Sequence, residues 1–309
     1  MKVLFVVGPT ASGKSQFSEE LVQSRGGEIL NADSVQVYRG LNIGSAKPGQ
    51  EVRSRIRHHL VDHVEVGASY TAGDFRRESL ECLRSRSEGG LKHLLVVGGT
   101  GFYLRALQFG MYEVPEIPSE IRSNLRRRME VEGLETLFEE LMAVDPQACR
   151  KIDRHDAYRI LRALEVFLTC GNTWTSIVED FALKLDPFPY SYKKIGLTMD
   201  RELLRHRVVS RVDRMIAAGW IAEVQSLLDQ VGAHWAPLNS VGYSVIVDYL
   251  DRKISEEDLV PRITKSTMLL AKRQMTWFRR DSEIEWFDVN ESWAKAHSAA
   301  VSFLDSQKI

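Results

Sequence analysis

The run MKVLFVV at residues 1–7, followed at once by GPTASGKS at 8–15, constrains this chain more than any other feature. The spacing Gly8, four residues, Gly13, Lys14, Ser15 is the phosphate-binding loop pattern. Such a loop works where a buried strand turns into a helix. Val3–Val7 reads as that strand and Gln16–Gln23 as that helix. Each loop residue has a physical task. Glycines let backbone N–H groups approach an anion closely. The helix that starts near Gly13 points its positive end at the same anion. Lys14 adds a mobile cation and Thr10 a hydroxyl donor. Ser15 offers a hydroxyl to Mg²⁺, a hard cation that keeps several waters. The whole stretch Gly8, Pro9, Thr10, Ala11, Ser12, Gly13, Lys14 and Ser15 is the candidate oligophosphate site, with Ser15 as the metal ligand. The pattern implies an oligophosphate and Mg²⁺; it does not say which oligophosphate.

The first third of the chain alternates strand and helix, the signature of a mostly parallel sheet with helices on both faces. Strands are expected at Val3–Val7, Glu28–Asn31 and Leu94–Val97, followed by GPTASGKS, ADSVQVYRGLNIGSAKP and GGTGFYL. In such sheets the ligand lies beyond the carboxyl ends of the strands, so the three loops should converge. The character changes at Glu113, in EVPEIPSE. Residues 119–180 read as helical, KLDPFPYSY as a linker, and 193–200 (KKIGLTMD) as another strand. A helix ending at Gly219 follows. The expected organisation is an α/β, P-loop NTPase-like sheet domain, residues 1–114 and 193–309, interrupted by an all-helical insertion at 115–192.

With 309 residues, 44% hydrophobic and 27% charged, the chain is long enough for a substantial core and more than one domain. Cys82, Cys149 and Cys170 form no CxxC pair, which argues against a disulfide framework or a zinc site and for buried small side chains. The N-terminal apolar run reads as a core strand rather than a signal peptide, and no apolar stretch is long enough to span a bilayer. A cytoplasmic protein is expected. A net charge of -1 carries no global signature of nucleic-acid binding. The basic residues nevertheless cluster, around Arg122–Arg128, Arg150–Arg162, Arg201–Arg214 and Lys272–Arg280. Each cluster fits a polyanion site or a solvated helix face equally well. The last, KRQMTWFRR, interleaves cations with Trp277 and Phe278, a mixture that can hold phosphates and stack bases; Trp277 fits a core position as well.

A nucleotide-hydrolysing P-loop protein also needs an acid at a strand end to help hold Mg²⁺. The strand HLLVV ends in Gly98-Gly99-Thr100-Gly101, without one. The remaining candidate is Asp33. It fits a magnesium shell, a general base aimed at a second substrate, or a turn residue. Ser34 and Gln36 beside it can hydrogen-bond a planar heterocycle.

Six motifs in order resemble the tRNA dimethylallyltransferase family: GPTASGKS (8–15), ADSVQVYRGLNIGSAKP (32–48), VGGTGFYLRAL (97–107), RILRALEV (159–166), VGY (241–243) and AKRQMTWFR (271–279). The resemblance is to the bacterial type, without the zinc-finger tail of eukaryotic members. Ser15 stands where many members have Thr. It implies that the loop holds the diphosphate of dimethylallyl diphosphate and that nothing is hydrolysed as fuel. The dimethylallyl group goes to N6 of adenosine 37 beside the anticodon. Backbone donors, Lys14 and Mg²⁺ at Ser15 would stabilise charge on the departing diphosphate. Arg207, or Arg211 one turn later, would clamp it from the far side. Asp33 would take the N6 proton, and Thr100 would lie at the substrate channel. The adenine must be flipped out of its stack. The implied RNA-facing residues are Asp33, Ser34, Val35, Gln36 and Thr100, with Arg122. Tyr158, Arg159, Ile160, Leu161 and Arg162 form a second group. Ser240, Val241, Gly242, Tyr243, Ser244 and Val245 form a third. The helical insertion would grip the anticodon stem-loop of a tRNA partner, and a monomer is expected.

Three rivals share parts of this pattern. A small-molecule kinase shares the loop and the arginine helix but not KRQMTWFRR. A prenyltransferase of free adenylate shares the chemistry but needs no basic insertion. An RNA-binding protein that has lost catalysis would not need Lys14, Ser15 and Asp33.

Overall fold

The computed structural model of the protein describes residues 1–112, 114, 116–182 and 187–306. The change of character at Glu113, and residues 184–186 of the expected linker, lie outside the described residues. The chain runs through β1 (Lys2–Val7), α1 (Lys14–Arg25), β2 (Glu28–Asn31), α2 (Gln50–Arg55), β3 (His58–His59), α3 (Ala72–Glu88), β4 (His93–Val97) and α4 (Gly101–Phe109). Five helices follow: α5 (Ser119–Glu132), α6 (Leu134–Val144), α7 (Pro146–Cys149), α8 (Ala157–Cys170) and α9 (Trp174–Ala182). The sheet then resumes with β5 (Ser191–Thr198), α10 (Arg201–Ala217), α11 (Trp220–Val231), α12 (Tyr243–Leu250), α13 (Glu256–Phe278), β6 (Ile284–Asp288) and α14 (Trp293–Asp305).

Among the described residues the sheet has six strands in the order β3-β2-β4-β1-β5-β6, and every pairing is parallel. The central position of β1 explains its composition. All six residues of KVLFVV are buried, as a strand covered on both faces requires. Leu4 and Val6 join Phe17 and Leu21 of α1 and Ala296 and Ala300 of α14 in one apolar cluster. The connection leaving β1 runs to β2 on one side, and that leaving β5 runs to β6 on the other. The connection leaving β4, the neighbour of β1 on that first side, runs the opposite way, to β5, so the crevice between β1 and β4 is a switch point of the kind where open α/β sheets bind ligands.

The chain divides into two compact units, Met1–Gln108 with Phe188–Ile309, and Phe109–Pro187. The helical unit thus starts and ends earlier than the expected 115–192. At its far end the reason is aromatic. Phe188 and Tyr192, expected in a linker, set their rings against Phe5 of β1 at 5.7 and 5.9 Å. The strand expected at 193–200 also begins earlier and stops at Thr198, because Asp200 caps α10 instead, accepting from the N–H groups of Glu202 and Leu203. The helical unit has its own core of Leu125, Leu137, Phe138, Leu141, Ile160 and Leu164. Gly133, at φ 86°, breaks what reads as one helix over 119–144 into α5 and α6. The three cysteines are half-buried and unpaired.

Candidate active site

The phosphate loop closes tightly against β5. Gly8 has φ 141°, and a Cβ there would lie 2.2 Å from the carbonyl oxygen of Leu197. Ala11 and Gly13 also take left-handed φ, 64° and 92°; α1 begins directly after, at Lys14. Thr10, Ala11, Gly13, Lys14 and Ser15 line a cavity of about 980 Å³ in the sheet unit. Gly8, Pro9 and Ser12 do not. Ser12 is fully buried and its hydroxyl has no partner among the described residues, so its side chain belongs to the loop's interior rather than to a ligand contact. Gly8 and Pro9 act through Lys14, whose Nζ donates to their carbonyl oxygens at 3.0 and 2.6 Å.

The cavity gathers positive charge. Lys14, Arg207, Arg211 and Arg214 line it, against the carboxylates of Glu19 and Asp33. Burial lowers the Lys14 pKa from 10.5 to about 8; the Asp33 carboxylate opposes the shift and the Arg211 cation adds to it. Arg211 is likewise held below its ordinary value by burial, again opposed by Asp33. These three charges therefore sense one another across the cavity. α10 uses Arg205 in an ion pair with Glu202 at 4.0 Å, while Arg207 and Arg211 form none among the described residues. Arg207 also reaches the loop itself, with Nη1 3.8 Å from the place a Cβ on Gly13 would occupy. Lys14 and Arg211, desolvated and without an ion-pair partner among the described residues, stand with the exposed Arg207 as a site prepared for an anion.

Opposite the loop stands the turn after β2. Asp33 Oδ1 accepts from the N–H groups of Val35 and Gln36, at 2.9 and 3.3 Å. Oδ2 makes no hydrogen bond among the described residues, so the carboxylate both shapes its turn and keeps one free oxygen in the cavity. Thr100 Oγ1 accepts from the Ser34 N–H at 3.0 Å and donates to Ser34 Oγ at 3.3 Å. Asp33, Ser34, Val35, Gln36 and Thr100 all line the cavity. The Gln36 amide nitrogen is committed to the carbonyls of Ser45 and Ala46, so only its oxygen remains to meet a heterocycle.

Ser240, Val241 and Tyr243 also line the cavity, whereas Gly242, Ser244 and Val245 do not. Gly242 is a packing position, since a Cβ there would lie 2.2 Å from the Trp220 ring. Arg122, Tyr158, Arg159, Ile160, Leu161 and Arg162 belong to the helical unit and not to this cavity. Arg122 is exposed and Tyr158 is 79% exposed. Ile160 is fully buried in that unit's core and so is no surface contact, while Leu161 is half-buried and packs against that core. Arg159 and Arg162 are paired with Asp156 and Glu165, at 2.6 and 3.0 Å.

Two residues of the site had no role assigned from sequence. Glu223 accepts from the N–H groups of Asn42, Ile43 and Gly44 and from the Tyr243 hydroxyl. It fixes the loop that forms one cavity wall; burial and the adjoining Glu223 carboxylate push the Tyr243 phenol up. Glu223→Ala is expected to cost ~2–4 kcal/mol by leaving these donors unmatched, measured by urea unfolding. A change under about 1 kcal/mol would mean that water replaces the carboxylate there. Gln274 bridges the phosphate loop to Gly99. It lies inside KRQMTWFRR, where cations and rings draw the eye before an amide. In the same motif Trp277 is 38% exposed, and its indole covers Gly101, where a Cβ would meet it at 2.2 Å.

A parallel sheet with a phosphate loop after β1, a cationic cavity at the switch point and a carboxylate across from the loop define an α/β protein of the phosphate-loop class that binds an anion beside a carboxylate. The family model described as IPP transferase matches residues 36–281. The tRNA dimethylallyltransferase of Bdellovibrio bacteriovorus is 44% identical over 98% of both chains. That of Geobacter metallireducens is 43% identical over 98% of this chain and 97% of its own. The solved tRNA isopentenylpyrophosphate transferase of Bacillus halodurans superposes with a TM-score of 0.71 at 30% identity, covering 98% of this chain and 97% of that one. The chain belongs to the IPP transferase family, and is an enzyme of the tRNA dimethylallyltransferase type. No helix among the described residues is long and apolar enough to cross a membrane.

Proposed function

We propose that the protein transfers the dimethylallyl group of dimethylallyl diphosphate to N6 of adenosine 37 in a tRNA anticodon loop. The observation that carries this is the meeting, in one cavity, of an unpaired cationic cradle and a carboxylate with a free oxygen. The cradle suits a departing diphosphate, and the carboxylate suits an amine that must lose a proton. As the bond between N6 and the allylic carbon forms, the bond from that carbon to the diphosphate oxygen breaks. The electron pair leaves with diphosphate, and the N6 proton passes to Asp33 Oδ2. Lys14, Arg207 and Arg211 stabilise the developing charge, a role worth several kcal/mol in a water-poor site.

The donor set fits Mg²⁺. Ser15 presents a hydroxyl in the cavity at the position from which a phosphate-loop Ser or Thr reaches Mg²⁺, and waters and the ligand's phosphate oxygens would complete the shell. Bound there, it would add Lewis-acid stabilisation to the leaving group.

RNA contact is supported on both units separately. In the helical unit Arg122, Arg126 and Arg127 are exposed and form no ion pair among the described residues, unlike Arg128, which pairs with Glu132 and Glu140. On α13 and just after it, Lys272, Arg273, Arg279 and Arg280 are exposed around Trp277, again without ion pairs among the described residues, whereas Phe278, expected with Trp277 to stack bases, is buried at 3% exposure and belongs to the core. A cytoplasmic monomer acting on an anticodon stem-loop accommodates these features.

The test supplies purified protein with Mg²⁺, labelled dimethylallyl diphosphate and an unmodified anticodon stem-loop, with AMP and ATP as parallel acceptors. Label should enter the RNA and vanish when adenosine 37 is replaced. Label in AMP or ATP alone would move the acceptor to a free nucleotide. ATP consumption without transfer would point to a kinase.

Affinity for the diphosphate ester should also depend on pH with a sign set by Lys14. The cation is the binding form and its pKa in the ligand-free site is about 8. The ester's own last ionisation, near 6 for a phosphate group, is complete by then. Affinity is therefore expected to be level between about pH 7 and 8, and to fall roughly tenfold per unit above that. Calorimetric titration would show the break, and Lys14→Met should remove it.

A further inference from the structure

Gln274 joins two loops to which the proposed reaction gives separate tasks. The Thr10 N–H donates to its Oε1 at 2.8 Å, and its Nε2 donates to the carbonyl oxygen of Gly99 at 3.0 Å. The next residue, Thr100, accepts from the Ser34 N–H and donates to Ser34 Oγ, and Ser34 follows Asp33. One side chain on α13 therefore completes a continuous set of hydrogen bonds from the phosphate loop to the Asp33 turn.

The chemistry of the position admits few substitutes. A neutral amide both accepts from one loop and donates to the other. A carboxylate would repel the Gly99 carbonyl and place negative charge beside the phosphate site. A lysine could not accept from Thr10. The fit is close as well. A Cβ on Gly99 would lie 2.2 Å from Nε2, and its three nearest neighbours are all atoms of Gln274. Gly99 is not among the glycines of positive φ, so its backbone does not itself demand glycine. What it accommodates is the amide.

We infer that Gln274 is a positioning residue that sets the distance between the leaving-group cradle and Asp33, and so aligns donor carbon and acceptor nitrogen. The inference rests on the prenyl-transfer reading. Gln274 touches no reacting atom in it; its effect passes through the Thr10 and Gly99 loops. A misplacement of about 1 Å from such a residue costs on the order of 10²-fold in rate.

The experiment is single-turnover transfer from dimethylallyl diphosphate to the anticodon stem-loop by wild type, Gln274→Met, Gln274→Ala, Gly99→Ala and the Gly99→Ala/Gln274→Ala double variant. Methionine fills the amide's space without donor or acceptor. Gln274→Met should lower the single-turnover rate by about 10–100-fold, with each KM within about threefold of wild type and an unchanged melting temperature. Gly99→Ala should be comparably slow, yet add nothing in the Gln274→Ala background, because the atoms it displaces are gone. Wild-type rate in Gln274→Met would overturn the inference. So would a loss confined to KM, a loss explained by a lowered melting temperature, or independent, multiplying losses in the double variant. If wild type itself leaves the RNA unlabelled, the prenyl-transfer reading fails, and the inference with it.

Discussion

Asp33→Asn is expected to lower the single-turnover rate of prenyl transfer by about 10²–10⁴-fold, the range for removal of a general base. The substitution isolates the proton-accepting role, because asparagine keeps an oxygen for the Val35 and Gln36 N–H groups that Oδ1 now receives. The turn and the Ser34–Thr100 contacts beside it should survive, and affinity for the stem-loop should stay within about threefold of wild type. Alanine at the same position removes the turn acceptor too and should weaken RNA binding further. Filter binding in parallel with single-turnover kinetics separates the two effects. If Asp33→Asn loses affinity and rate in equal measure, Asp33 is mainly a binding residue.

Lys14→Met should reduce kcat/KM for dimethylallyl diphosphate by about 10²–10³-fold, combining a lost charge-assisted hydrogen bond with lost stabilisation of leaving-group charge. The ammonium is held over the loop by the Gly8 and Pro9 carbonyls and is partly desolvated, which is why its pKa falls to about 8. A cation already stripped of water interacts strongly with an entering anion. RNA affinity measured without the diphosphate should be unaffected. A variant that keeps wild-type kcat/KM for the diphosphate but loses RNA affinity would place the diphosphate elsewhere in the cavity, with Arg207 and Arg211 as its main partners.

Much of this arrangement was legible because it is local. The phosphate loop, the buried strand before it and the helix after it lie within the first 25 residues, and their rules concern spacing and apolar runs. The expectation that three strand-end loops converge rests on a property of all parallel sheets, and Thr10, Asp33 and Thr100 do line one cavity. Periodicity carried more than was taken from it. Ile160, Ala163 and Leu164 recur at helical spacing and mark the buried stripe of α8. A motif that places Ile160 on RNA overrides that stripe, and the structure sides with the stripe. Ser12 is a similar case, since membership of the phosphate loop does not say which way a side chain turns.

The sequence by itself determined the phosphate loop, the alternation of strand and helix that builds the sheet unit, and the presence of a separate helical unit, because each is written in spacing between near neighbours. Only the tertiary structure decided that β1 lies between β4 and β5, that Glu223 anchors residues 42–44, and that Gln274 ties the phosphate loop to Gly99. Thr10 and Gln274 are 264 residues apart in the chain. A hydrogen bond over that separation leaves no period to read; it exists because parallel strands bring the ends of distant segments to one edge of the sheet.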